Sequence, residues 1–443
     1  MRGQPSESAV TPVGGPLPPP APAREAPGRL LTSPASPACP PAPADPSGAP
    51  APHPAAPRDT RPPAPTPTPS RRSRPPEERS SIGPDHDLPA AVERVLAEHL
   101  AERRQEAARI SDRFAADLVT LLADFVLGGG KRLRPAFLWW AWRACGGPPS
   151  GDDAEAVLRA AAALELIQAC ALIHDDLMDG SPLRRNAPAA HVVLARRHRA
   201  AGLRGDPGTF GAGAALLAGD LALAWADDLW HGAGLAPSAQ RRARGPWQAM
   251  RTEMVAGQYL DLYGQARGGG SAAAALEVAH LKSGLYTVER PLHLGAVLAG
   301  APDATVAALR RAGRAAGLAF QLRDDLLGVF GSPDRTGKPA GEDITEGKPT
   351  YLMAVALRRA RARGDAAVER ELLAAPGSPG LTGARLDRVR SLVTATGARA
   401  HVERVMERLV GSALDTLDRA PLERTAVRHL SDLARSFVPG PPP

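Results

Sequence analysis

Asp175, Asp176 and Asp179 close a strongly apolar run, Leu164-Glu165-Leu166-Ile167-Gln168-Ala169-Cys170-Ala171-Leu172-Ile173. On a helix, i and i+4 share a face, so Asp175 and Asp179 stand one turn apart with Asp176 beside them. Two carboxylates ~4 Å apart repel by about 4 kcal/mol at an effective dielectric of about 20. A hard divalent cation removes that cost, and magnesium favours carboxylate oxygens together with substrate phosphates. An exposed acidic helix end is the plainer alternative. It fits poorly with the apolar approach and with the basic pair Arg184-Arg185 just beyond.

The pattern recurs in Phe320-Gln321-Leu322-Arg323-Asp324-Asp325-Leu326-Leu327-Gly328, with Gln321 one turn before the acids. Lys338 and Lys348 follow in a glycine-punctuated loop, where lysines can close over phosphate oxygens as point charges. A third element precedes both clusters: Gly128-Gly129-Gly130-Lys131-Arg132-Leu133-Arg134-Pro135. Its glycines let the backbone approach an anion, and Lys131 and Arg134 can clamp it at a helix start. It lacks the spacing and preceding strand of a P-loop. Asp152-Asp153 reads as a helix N-cap, and Asp227-Asp228, with no acid four residues on, reads as structural.

The elements that must hold these groups are helical. Val92, Val95, Leu96 and Leu100 recur at three- and four-residue spacing, continued by Phe114, Leu118, Leu121, Leu122 and Phe125. Long Ala/Leu-rich segments follow near 153–178, 209–230, 238–262, 274–299, 303–330, 348–364, 382–396 and 398–418, separated by Gly or Pro. Alternating β-branched strands are absent. The expected fold class is all-α, a single large bundle of about ten helices over residues 85–443. More than half of the 47 prolines lie before residue 80, so residues 1–84 read as a disordered tail that cannot offset its conformational entropy. The end, 439–443, is proline-rich and should fray.

The net charge of +7 suits an anionic substrate, but it is too scattered to imply nucleic acid. Cys39, Cys145 and Cys170 have no ligand or redox spacing, and no secretory signal is visible, which points to a reducing cytoplasm. No run is read as reaching the about 18 apolar residues of a membrane span; residues 136–142 suit a buried helix.

Taken in order, Gly-Gly-Lys-x-x-Arg-Pro, Gln168 seven residues before Asp-Asp-x-x-Asp, Arg-Arg, Lys282-Ser283, Phe-Gln-x-x-Asp-Asp, Lys338 and Lys348 resemble the trans-isoprenyl diphosphate synthases over about residues 88–435. The resemblance implies a helical bundle with a central active-site cavity, a homodimer, and about three magnesium ions. It implies that Asp175 and Asp179 hold metal on an allylic diphosphate with Asp176 in support, and that Asp324 holds another with Asp325 nearby. Arg184, Lys282 and Lys338 would touch the allylic diphosphate, with Lys348 a further loop contact. Lys131, Arg134, Gln168 and Arg185 would bind isopentenyl diphosphate. Gln321 and the backbone at Ser283 would face the developing allylic cation. This chain departs from the pattern at Gly328, where many relatives have a third Asp, at Ser283, where Thr is also common, and in its proline-rich rather than basic C-terminus.

In such enzymes the side chains one turn before the first Asp floor the prenyl tunnel. Here they are Cys170 and Ala171, with Ile167 and Leu166 a turn deeper. Small residues leave room beyond C15, so the expected product is geranylgeranyl diphosphate, with C15 or C25–C30 as alternatives. A class I terpene cyclase shares the fold and first motif but needs no second diphosphate clamp. A non-catalytic subunit usually loses an aspartate cluster, and this chain keeps both. His174 reads as a packed helix residue rather than a base.

Overall fold

The computed structural model describes residues 83–268, 270–331, 341–378 and 381–438. All belong to the unit Ser73–Pro443. The tail (1–84, apart from Gly83 and Pro84), Lys338 and the end 439–443 lie outside the described residues.

The chain enters the fold at Asp85, whose carboxylate accepts from Trp139 Nε1 (2.8 Å) and pairs with Arg143 (2.9 Å). Helix α1 (Leu88–Ile110) is started by the Asp87 side chain, which accepts from the Ala90 amide at 3.0 Å. Then come α2 (Asp112–Phe114), a π-helical segment (Ala115–Val119), α3 (Thr120–Leu127), α4 (Leu133–Ala144) and α5 (Asp152–Met178). Helix α5 runs 27 residues through the core; its alanines 160–163 are fully buried. Asp152 and Asp153 stand in its first turn, but the N-cap is Gly151, with no side-chain cap. The predicted Asp cap is therefore a favourable charge at the helix start instead.

A two-residue antiparallel hairpin, β1 (Leu183–Arg184) and β2 (Ala187–Pro188), follows. It departs from the all-helical expectation. At this length no alternation exists to be read, and the turn residues Arg185 and Asn186, both at positive φ (53° and 61°), carry it. Next are α6 (Ala190–Ala200), α7 (Pro207–His231), α8 (Pro237–Ala266) and α9 (Ala272–Val278). A π-helical segment (Ala279–Glu289), α10 (Arg290–Leu298) and α11 (Asp303–Phe330) complete the main bundle. Beyond it lie α12 (Glu342–Thr345), α13 (Tyr351–Ala362), α14 (Ala366–Ala374), α15 (Ala384–Ala395), α16 (Ala398–Arg419) and α17 (Arg424–Arg435).

Two apolar clusters organise this unit. The larger gathers α1, α4, α5, α7, α8 and α10, and α17 closes over α4 through Phe137–Phe437 (centroids 6.1 Å) and stacked Trp140–His429 (3.7 Å). The smaller joins the end of α11 to α13–α16 through Leu322, Leu326, Val329, Ile344 and Leu352. It fixes the stretch that carries Lys348.

The absence of a membrane-length run needs correcting. Helices α5 and α7 are long and apolar enough by length and mean hydropathy (1.8 and 1.4). The apolar window of α5 is 78% buried, so its hydropathy is accounted for by the core, whereas that of α7 is 39% buried. Interspersed alanines and glycines hid both windows from a search for large apolar residues.

Candidate active site

Three chain segments that are distant in sequence meet at the end of α5. Asp175 and Asp176 occupy its last turn and Asp179 caps it, the Asp179 amide donating to Asp175 O at 2.9 Å. The hairpin then folds Arg184 back, so that its Nε donates to Asp176 Oδ1 at 2.8 Å and its guanidinium lies 3.4 Å from Asp175. From the π-helical segment, Lys282 Nζ bonds Asp175 Oδ1 (2.9 Å) and Asp261 Oδ2 (2.7 Å). Lys348 reaches Asp179 Oδ2 at 2.7 Å and Glu346 Oε2 at 2.6 Å, and Ser181 Oγ bonds Glu346 from the hairpin side.

Glycines allow this convergence. Gly257 on α8 leaves no room for a Cβ against the backbone of Lys282, and Gly284 and Gly317 bring the π-helical segment equally close to α11. The wider π turn aims Lys282, with Ser283 beside it, into the site.

Burial pushes the Asp175 carboxyl up, but the charges of Lys282, Lys348 and Arg184 outweigh it and hold it well below the usual carboxylate range. Lys348 responds in the opposite sense. Burial lowers it, while Asp343, Asp179 and Glu346 together raise it well above an ordinary lysine.

The second cluster is different in kind. Asp324 is exposed on α11, and Asp325 is buried. Gln321 Nε2 donates to Asp325 Oδ1 at 2.8 Å, so the amide assigned to the allylic cation is engaged with the acid in this state. Burial, then the charge of Asp343, pushes the Asp325 carboxyl up to about 8, with Asp324 and Asp261 adding to the rise.

A basic patch surrounds the glycine loop. Arg185 donates to Gly129 O and lies over the Phe125 ring at 5.8 Å. Its guanidinium is lowered by burial and by the charges of Arg132, Arg184 and Arg134, with Glu165 opposing. Arg134 bonds Thr287 Oγ1 (2.8 Å) and lies 4.3 Å from the Tyr286 ring centroid. Lys131 is exposed, and its ammonium is lowered by partial burial and by Arg323. Gln168 presents a buried Oε1 with no hydrogen-bond partner. Among the described residues, Arg132, Arg185 and Asn186 are the non-glycine positions at positive φ. All three lie in the two turns of this patch, at a backbone cost of about 1–3 kcal/mol each.

The structure thus joins Asp175, Asp176, Asp179, Arg184, Lys282 and Lys348, sets Asp324, Asp325 and Gln321 together on α11, and groups Arg134 with Arg185, while Lys131 faces the charges of Arg323 and Asp324 instead. Several participants escaped the sequence reading. Asp261 is the second anchor of Lys282; Arg132 is buried on Glu165 at 2.8 Å; Thr287 and Tyr286 hold Arg134. The unexplained buried acid Glu165 was the one available signal. His174 packs under Gly219, its Nε2 3.1 Å from Leu216 O. Cys170 and Ile167 are buried on α5, and Ala171 is half-buried. Asp227 has the structural role expected of it, accepting from Trp247 Nε1 (2.7 Å) and Arg251 (2.6 Å).

The donors at both clusters are hard carboxylate oxygens. At the second, acids crowd one another, which is the chemistry a divalent cation relieves.

Comparisons with known proteins identify the family. Residues 116–376 match the polyprenyl synthetase family. The chain is 30% identical to a geranylfarnesyl diphosphate synthase of Aeropyrum pernix, over 74% of this chain and 98% of that protein. It is 33% identical to a geranylgeranyl diphosphate synthase of Mycobacterium tuberculosis, over 66% and 75% of the two chains. A Corynebacterium glutamicum geranylgeranyl pyrophosphate synthase, crystallised with isoprenyl diphosphate and magnesium, superposes with a TM-score of 0.76 at 42% identity, covering 79% of this chain and 97% of that one. By these matches the chain belongs to the polyprenyl synthetase family and is a prenyltransferase.

Proposed function

We propose that this enzyme condenses isopentenyl diphosphate head-to-tail with dimethylallyl, geranyl and farnesyl diphosphates, with magnesium, to give all-trans geranylgeranyl diphosphate. The observation that carries the reading is the second basic patch. Arg134 and Arg185 stand near one another beside the glycine loop that carries Lys131, where they would seat a second diphosphate next to the one held at Asp175. A cyclase acting on one prenyl diphosphate has no use for it.

Asp175, Asp179 and Asp324, with Asp176 in support, would hold the metal; the chemistry it supplies is neutralisation of the allylic diphosphate's charge. Arg184, Lys282, Lys338 and Lys348 would add their charges to the same leaving group. As the C1–O bond breaks, its electron pair leaves with diphosphate and an allylic cation forms. Gln321 and the carbonyl backbone at Ser283 then present their dipoles to that cation. Lys131, Arg134, Gln168 and Arg185 hold isopentenyl diphosphate so that its alkene attacks C1. The new C–C bond is followed by loss of one proton to the released diphosphate.

The product length rests on Cys170 and Ala171 as small floor residues, with Ile167 as the next barrier. Incubating the purified protein with labelled isopentenyl diphosphate and each allylic primer, with magnesium or with EDTA, tests the whole reading. A C20 product that disappears in EDTA is expected, and a dominant C15 product would sink the chain-length assignment. C25, the length the Aeropyrum relative's name implies, would move the floor to Ile167.

A homodimer is the proposed assembly. Its support is the exposed apolar surface of α7 (Phe210, Leu216, Leu217) and α8 (Val255, Tyr259, Tyr263). Light scattering tests it, and a monomer at micromolar concentration would refute it. The proposed compartment is a reducing cytoplasm, supported by free Cys145 and Cys170, whose thiols burial pushes up to about 12.

A further inference from the structure

Three cations, Lys131, Arg132 and Arg134, crowd the start of α4, and the first and last are the ones a diphosphate would meet. The middle one is turned inward. Arg132 is the N-cap of α4 and sits in the left-handed region (φ 48°, ψ 37°), a conformation an arginine keeps only when its surroundings hold it there. Lys131 before it is exposed and Arg134 after it is half-buried, whereas the Arg132 side chain is 2% exposed.

Three helices supply the contacts that hold it. Nη1 donates to Glu165 Oε2 on α5 at 2.8 Å, Nη2 donates to Val126 O on α3 at 2.9 Å, and Nη2 lies 3.5 Å from Glu93 Oε1 on α1. Glu165 is itself buried and stands one turn before Gln168, on the same helix. The glycine loop rests against this guanidinium too: a Cβ built on Gly130 would stand 3.8 Å from Arg132 Nη1 and 3.2 Å from Arg185 Nη2. Arg132 has nothing left to offer a ligand, since both terminal nitrogens are engaged within the protein and its Nε is enclosed. Yet Lys131 and Arg134 flank it, Gln168 shares the helix of its partner, and Arg185 meets the loop it carries.

We infer that Arg132 is a positioning residue for isopentenyl diphosphate: locked on Glu165, it fixes the turn from which Lys131 and Arg134 project, and it does not touch the substrate. The inference rests on the assignment of that substrate to the patch around the glycine loop.

The test is initial-rate kinetics on the full chain with geranyl diphosphate and magnesium, with melting temperatures measured alongside. Arg132→Met combined with Glu165→Leu replaces the buried pair by apolar side chains, an exchange that protein interiors often accept without loss of stability. This variant should melt close to the parent chain. It should raise KM for isopentenyl diphosphate by about tenfold or more, with kcat and KM for geranyl diphosphate within about twofold. Arg132→Lys keeps the charge on Glu165 but loses the fork that also reaches Val126 O, and should show the same split in smaller measure. An unchanged KM for isopentenyl diphosphate in every variant that melts cooperatively would overturn the assignment. So would equal rises in KM for the two substrates, or a fall in kcat that accounts for the whole loss. Arg134→Ala separates this from the underlying reading: if it leaves KM for isopentenyl diphosphate unmoved, the seat of that diphosphate is refuted rather than the role of Arg132.

Discussion

The two aspartate clusters solve the same electrostatic problem in opposite ways. At the end of α5, every carboxylate is met by a cation of the chain itself: Arg184 and Lys282 at Asp175, Arg184 at Asp176, Lys348 at Asp179. On α11, Asp325 is buried against Asp343 and Asp324, and its proton is retained to about pH 8. The first cluster is complete without an external cation and must exchange partners to accept one. At the second, burial first and neighbouring like charge after it oppose ionisation of Asp325. Similar sequence patterns thus hide different states, because charge balance is decided by residues far along the chain.

The largest expected contrast is in turnover. Asp175→Ala removes the carboxylate that organises Lys282 and Arg184, and should lower kcat by about a hundredfold or more. Asp325→Ala should cost visibly less, and equal losses in initial-rate assays would break the asymmetry. Next is Lys348→Ala. Its side chain is 13% exposed and neutralises Asp179 and Glu346, so removal should destabilise the EDTA-treated protein by about 3 kcal/mol in denaturant melts. A neutral result would show that the first cluster does not depend on its internal cations.

Smaller and of opposite sign is Asp325→Asn. The folded carboxyl titrates near 8 against an ordinary 3.8, so the native state holds a proton that the unfolded state has lost. The metal-free fold should therefore weaken as pH rises from about 4 to about 8. Asp325→Asn should raise the melting temperature at pH 8.5 by about 2 °C or more and do little at pH 4. A stabilising effect that is the same at both pH values would refute the charge argument.

The smallest effect serves as a control away from both clusters. Burial, with Arg310 and Arg290, lowers His293 to about 4, so the unfolded state binds its proton first. Stability should fall as pH drops from about 6.5 to about 4, and His293→Gln should flatten that limb of the melting curve.

What the sequence disclosed follows from how local each feature is. Residues 303–330 were read as one helix and form one, and the reading of 153–178 misses α5 by a single residue, because apolar periodicity is written within the segment. The hairpin at 183–188 and the π-helical stretch at 279–289 were invisible. The first is too short to alternate, and the second differs from an α-helix only in ring size. In the site, the motif residues were legible from type and spacing. Their partners were not: Lys282 meets Asp175 across 107 residues and Arg134 meets Thr287 across 153. Asp343 stood in plain view, two residues after Gly341, but only the packing of α12 on α11 shows that it and Gly328 share one space.

Lys348 ties Asp179 at the end of α5 to the stretch after α12. Its consequence concerns the order of events in the life of the chain. A newly made polypeptide can assemble the end of α5 before any ion or substrate arrives, because the counter-charge is covalently part of it. Maturation and loading are then separate steps, and under the proposed magnesium dependence a cell short of divalent ions would accumulate folded, idle enzyme rather than unfolded chain.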